Sequence, residues 1–187
     1  MAVATIVTKV VHGPSGTPVY SDVEFPGKLH FNRQDDEGVG SPVPLLAVGT
    51  AYANYKSLRL YVTVAGTTSI TNLAARLSGA PTAGLGIFIL STAPSAYTQC
   101  TGAGATAGNR PADNGTALDA PPAPDVPAGY AVLGTTPVVF DTTSYPTSGT
   151  GPVGKFLQLL GAVSKDYAGG AGNAIAAPNI IVSYDEA

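Results

Sequence analysis

Residues 56–79 read KSLRLYVTVAGTTSITNLAARLSG. In the first half, Leu58, Leu60, Val62 and Val64 fall on one face of an extended chain. Arg59, Tyr61 and Thr63 fall on the other. Side chains alternate along a strand, so this spacing predicts a strand with one buried side. AGTT, residues 65–68, supplies a turn, and the second half returns as a strand whose apolar residues change parity. Ile70 shares a face with Asn72, while Leu73, Ala75 and Leu77 share the opposite one. Burying both sets requires a bulge or register shift near Asn72.

Similar signals extend in both directions. Residues 3–11 are rich in β-branched side chains and stop at the turn cluster HGPSGTP. VYSDVEF then alternates, with Val19, Ser21 and Val23 on one side and Tyr20, Asp22 and Glu24 on the other. KLHFNR is strand-like, QDDEGVGSP is an acidic loop, and VPLLAV is a short apolar strand. LGIFIL, residues 85–90, is continuously apolar, as expected of a central strand covered on both faces. TPVVF and NIIVSYDEA complete the strand-like runs. Residues 155–167 fit a helical face through Phe156, Val163 and Tyr167, and a strand through Leu157, Leu159 and Gly161. Flanking glycines and the β context favour the strand. About ten short strands separated by Gly/Pro turns predict an all-β fold, a β-sandwich of jelly-roll-like or immunoglobulin-like form.

Residues 92–136 break the pattern. Their Ala, Gly, Pro, Thr and Asn lack apolar periodicity and do not provide a core of their own. The expectation is one domain over 1–187, with 1–12 as an N-terminal arm and 92–136 as a long irregular Ala/Gly/Pro-rich loop insertion. That insertion is expected to lie on a neighbour or extend into solvent.

Composition narrows the function classes. Of 187 residues, 44% are hydrophobic and only 11% charged, against about 25% charged in ordinary soluble domains. So little charge suits a surface largely covered by neighbours. A net charge of −3, with nine scattered Lys and Arg, argues against nucleic-acid binding. The single cysteine, Cys100, excludes an intrachain disulfide framework and a cysteine-based zinc site. The first residues lack a basic signal-peptide region, and no apolar run is long enough for a membrane helix.

Candidate chemistry is sparse. GTGPVGKF, residues 149–156, nearly matches the phosphate loop G-x-x-x-x-G-K-[ST]. However, Phe156 replaces the magnesium-binding hydroxyl, Pro152 removes an N–H, and no βαβ pattern surrounds it. A Gly/Pro turn entering a strand is preferred. NRQDDEGVG, residues 32–40, gathers carboxylates without the spacing of a calcium loop. Asp185 and Glu186 are adjacent, so on a strand they face opposite ways and do not flank one bond. His12 and His30 are too few for a histidine metal site, and Cys100 has no neighbouring base. Asn114 opens a formal glycosylation sequon, which carries no meaning without a secretion signal. Tyr52, Tyr55 and Tyr61 offer a tyrosine platform for carbohydrate. No catalytic residue, cofactor or metal ligand is assigned.

KLHFNRQDDEGVGSPVPL, NYKSLRLYVTVAGTTSITNLAARLSGAPTAGLGIFI and the closing PNIIVSYDEA together resemble the accessory structural proteins of tailed bacteriophage virions. The likeness is one of pattern and covers most of the chain outside 92–136. It implies a non-enzymatic β-sandwich subunit made in the host cytoplasm and located in the virion. Its expected partners are the major capsid protein, other virion subunits and copies of itself in a homo-oligomer, with no nucleic acid or membrane. Capsid decoration or cement is the first expectation. A neck, collar or tail component is the alternative, and a carbohydrate- or receptor-binding module the third.

Overall fold

A computed structural model of the chain describes residues 2–22, 29–35, 41–104, 106–115, 124–167 and 178–187. Its strands are β1 (Thr5–His12), β2 (Val19–Asp22), β3 (Thr50–Tyr52), β4 (Lys56–Val64), β5 (Ser69–Leu77), β6 (Leu85–Leu90) and β7 (Thr101–Ala103). They continue as β8 (Asn109–Arg110), β9 (Tyr130–Val132), β10 (Val138–Asp141), β11 (Tyr145–Pro146), β12 (Gly151–Ser164) and β13 (Ile180–Glu186). No helix occurs among the described residues. A seven-stranded sheet runs β2-β1-β4-β12-β6-β9, with β3 paired to β12. A four-stranded sheet is built on β5, which pairs with β10, β11 and β13. The predicted all-β, sandwich-like class describes this architecture.

The two strands of residues 56–79 do not pair with each other: β4 joins the larger sheet and β5 the smaller, so residues 65–68 cross between the sheets. Leu58, Leu60 and Val62 of β4 are buried, as are Ile70, Leu73, Ala75 and Leu77 of β5. Leu58, Ala75 and Leu77 join Val10, Ile87, Ile89, Leu133, Leu157, Leu159 and Ile180 in the main core. Val64, assigned to the buried face, is 55% exposed because β4 ends there.

Both apolar sets of β5 are buried because the strand bulges. Ser183 pairs with Ala74 and Asp185 with Thr71, so Asn72 and Leu73 oppose Tyr184 alone. Asn72 takes the left-handed conformation, with φ of 51°, which asparagine tolerates better than branched residues do. Its amide Nδ2 donates to Asp185 Oδ2 at 2.8 Å.

β12 adopts the strand alternative and lies at the centre of the larger sheet. It pairs with β4 along its first part and β6 along its second. Val153 pairs with Leu60 and Leu157 with Leu58, leaving Gly154, Lys155 and Phe156 opposite Arg59. Arg59 occupies this bulge: Nε donates to the Gly154 carbonyl at 2.8 Å, and its guanidinium lies 4.6 Å from the Phe156 ring centre. A Cβ on Gly154 would sit 2.5 Å from Leu73 Cδ2, and φ there is +77°.

Several expectations change. The segment read as an N-terminal arm is an interior strand, with β1 between β2 and β4 and with Val10 and Val11 buried. Of its β-branched residues, Val10 and Val11 are in the core and Ile6 packs against it. Residues 29–33 and 43–48 are irregular. Leu29 and Phe31 nevertheless pack on the main core, so apolar content there reflects burial without pairing. In β2, Tyr20 packs on a cluster of Val11, Tyr97 and Phe156, while Val19 is 49% exposed.

The largest correction concerns 92–136. Within its described parts, Ala93, Tyr97, Cys100, Arg110 and Leu133 are buried. Cys100 packs with Tyr52, Tyr55, Phe88, Leu160 and Ala162. β9 is an edge strand of the larger sheet and Leu133 enters the main core, while the part before β9 covers that sheet as a third layer. It borrows its core from β3, β6 and β12, which is why it shows no periodicity of its own. Residues 105 and 116–123 of the insertion lie outside the described residues.

Candidate functional site

The phosphate-loop look-alike meets a carboxylate. β12 carries Lys155 past the end of β10, where Asp141 is fully buried at its side chain. Asp141 Oδ2 accepts the Lys155 N–H at 3.0 Å and the Tyr145 hydroxyl at 2.8 Å, while Oδ1 accepts the Thr143 N–H at 3.1 Å. Lys155 Nζ stands 3.6 Å from Oδ1. Burial alone would raise this carboxyl, but these donors outweigh it and hold it below the usual range. The Phe156 N–H donates to the Pro94 carbonyl. With the N–H groups of Lys155 and Phe156 engaged inside the protein, the loop is organised as a junction between the sheets.

A second polar node closes one end of the sandwich. Lys56, at the start of β4, is 2% exposed, and so is Asn32. Lys56 Nζ donates to Asn32 Oδ1 at 2.8 Å and also to the Gln34 carbonyl. The Gln34 N–H donates back to Asn32 Oδ1 at 3.0 Å. Asp35 Oδ2 accepts the Tyr97 hydroxyl at 2.8 Å and the Gly13 N–H at 3.1 Å. Burial pushes the Asp35 carboxyl up, opposed by the Tyr97 and Gly13 hydrogen bonds and by the charges of Lys56 and His12. Sequence alone marked residues 32–40 as an acidic loop. Only folding brings its first residues against a lysine beyond it. Asp36 and Glu37, the remaining carboxylates of that loop, lie outside the described residues.

A third node anchors the outer layer. Asp113 accepts from Arg33 at 2.6 Å, from Arg110 at 2.9 Å and from the Tyr52 N–H at 3.2 Å. Burial would raise its carboxyl, but these donors hold it below its ordinary value. Asn114, the sequon residue, donates its amide to Asp125. The Tyr52 hydroxyl donates to the Asp125 carbonyl at 2.9 Å.

The tyrosine platform does not assemble. Tyr52 and Tyr55 are 3% and 5% exposed, and their hydroxyls tie down residues 125 and 98. Burial pushes the Tyr52 phenol up to about 12, and the Tyr55 phenol rises for the same main reason. Tyr61 stands apart, packed near Tyr20 with Lys9 over its ring. His12 Nε2 lies 2.9 Å from Ser21 Oγ. The Cys100 thiol is pushed up to about 12, chiefly by burial. Asp185 lies beside Asn72, in the β13–β5 pair. No group of three or more potential metal ligands occurs among the described residues. Among the described residues, no helix is long and apolar enough to cross a membrane.

The surface offers edges instead of a cleft. Large exposed apolar residues among those described are all valines: Val3, Val19, Val48, Val64, Val126, Val132 and Val139. Among the described residues, three of these valines lie on strands paired on one side only: Val19 on β2, Val132 on β9 and Val139 on β10. β9 carries no charged residue, and the only one in β10, Asp141, is buried. Comparison with protein-family models, curated proteins and solved structures finds no match to the chain.

Proposed function

We propose that the chain is a non-enzymatic structural subunit of a bacteriophage virion, acting as a decoration or cement protein on the shell. The observation that carries this function is the state of its strand edges. Free edges are usually guarded by short length, a bulge, charge, proline or a covering element; β9 and β10 are short, and β10 bulges between Val139 and Asp141, but neither carries an exposed charge. Here the edges β9 and β10 present valines that are 59% and 52% exposed, in a chain with few charges to oppose association. Such small apolar spots on separate edges suit several weak contacts with different neighbours. Repetition over a lattice makes weak contacts avid. The partners in this proposal are the major capsid protein, other virion subunits and further copies of this chain.

Copy number and position in purified source particles test it. Density for the sandwich at repeated positions over the shell is the expected result. A few copies confined to the vertex or tail would assign the chain to the neck, collar or tail. Absence from the particle would remove it from the virion altogether.

A further inference from the structure

The node at Lys56 places a primary amine against a carboxamide in a site closed to water. Both residues are 2% exposed. The amide orientation follows from its neighbours, because Asn32 Oδ1 accepts both Lys56 Nζ and the Gln34 N–H. The backbone around Asn32 is also held. Its carbonyl accepts the Asn54 N–H at 2.7 Å, and the next residue, Arg33, donates its N–H to Ser41. On the preceding side Phe31 fills the space over Gly161, where a Cβ would lie 2.6 Å from the ring. Fixed, desolvated reactants are the condition under which an intramolecular reaction gains most from proximity.

We propose that Lys56 and Asn32 join after folding through an intramolecular isopeptide bond. The neutral Lys56 amine attacks Asn32 Cγ, forming the new N–C bond. Negative charge develops on Oδ1, which the Gln34 N–H already meets at 3.0 Å and stabilises as an oxyanion donor would. Collapse of this intermediate breaks the Cγ–Nδ2 bond. One amine proton passes to the departing nitrogen, which leaves as ammonia, and no oxidant or cofactor is required. The bond would fasten residues 29–35 to β4, where hydrogen bonds now hold them.

Mass spectrometry of the purified full chain under denaturing conditions tests this directly. The expected mass is that of the sequence less one ammonia. The expected tryptic product is residues 29–33 carried on residues 34–59, because acylated Lys56 is no longer cut. A mass equal to the sequence, in fresh and aged protein alike, overturns the bond. So does an ammonia loss that maps to Asn114-Gly115, where succinimide formation gives the same mass change. Lys56→Arg, provided that it folds, is expected to keep the full mass.

Discussion

Asp141 shows how one residue decides more than its surroundings in sequence suggest. It sits at the end of an apolar strand and accepts hydrogen bonds from Thr143, Tyr145 and Lys155. Replacing it with alanine leaves buried donors without an acceptor, an expected loss of about 3 kcal/mol. Its pH dependence has a defined sign. The folded carboxyl is held below its ordinary value, so its contribution is fully present above the unfolded value, about 3.9. That contribution fades as pH falls through the folded value. Urea midpoints for wild type and Asp141→Asn should therefore differ most near neutrality and converge below about pH 4. A gap that is constant with pH would show that the carboxylate charge is not the source.

At the scale of elements, β5 and β12 are both long strands that keep their apolar faces inward only by bulging. In β5 the extra residue is Asn72, in the left-handed conformation. In β12 the extra length is Gly154 to Phe156, filled by Arg59 from the neighbouring strand. Asn72→Val places a β-branched residue at positive φ, and we expect a loss of about 2 kcal/mol. Asn72→Gly relieves the backbone and forfeits only the exposed hydrogen bond to Asp185, for an expected loss under about 1 kcal/mol. Chemical denaturation of the two variants checks the order. Equal losses would mean that the side-chain contact, and not the bulge conformation, matters at this position.

For the whole molecule, the consequential feature is the third layer. Described parts of 92–136 cover the outer face of the larger sheet through Tyr97, Cys100 and Arg110. Cys100 reports on this layer because the thiolate is the reactive form, and burial both hides the thiol and pushes it up to about 12. Native protein should label with a thiol reagent only as fast as the layer opens. Tyr55→Phe deletes the hydroxyl that holds the Thr98 carbonyl, worth about 1 kcal/mol, and should speed labelling roughly fivefold. Labelling of native protein at the rate of an unfolded control would mean that the layer does not rest on the sheet.

The sequence by itself determined what depends on local alternation. The two strands of residues 56–79, the apolar run 85–90 and the parity change at Asn72 were legible because a strand's side chains alternate strictly and burial selects one face. Of the candidate chemistry, the departures of residues 149–156 from a phosphate loop could be read one residue at a time. Tertiary structure decided the rest. Residues 92–136 carry no pattern because their buried partners lie on β3, β6 and β12. Residues 29–35 look like a strand next to an acidic loop, yet pack as an irregular cap on the core. Lys56 reads as the polar start of a strand until Asn32, 24 positions away, closes over it. Contacts between segments so far apart leave no periodicity in either one, so only the folded chain brings amine and amide into one node.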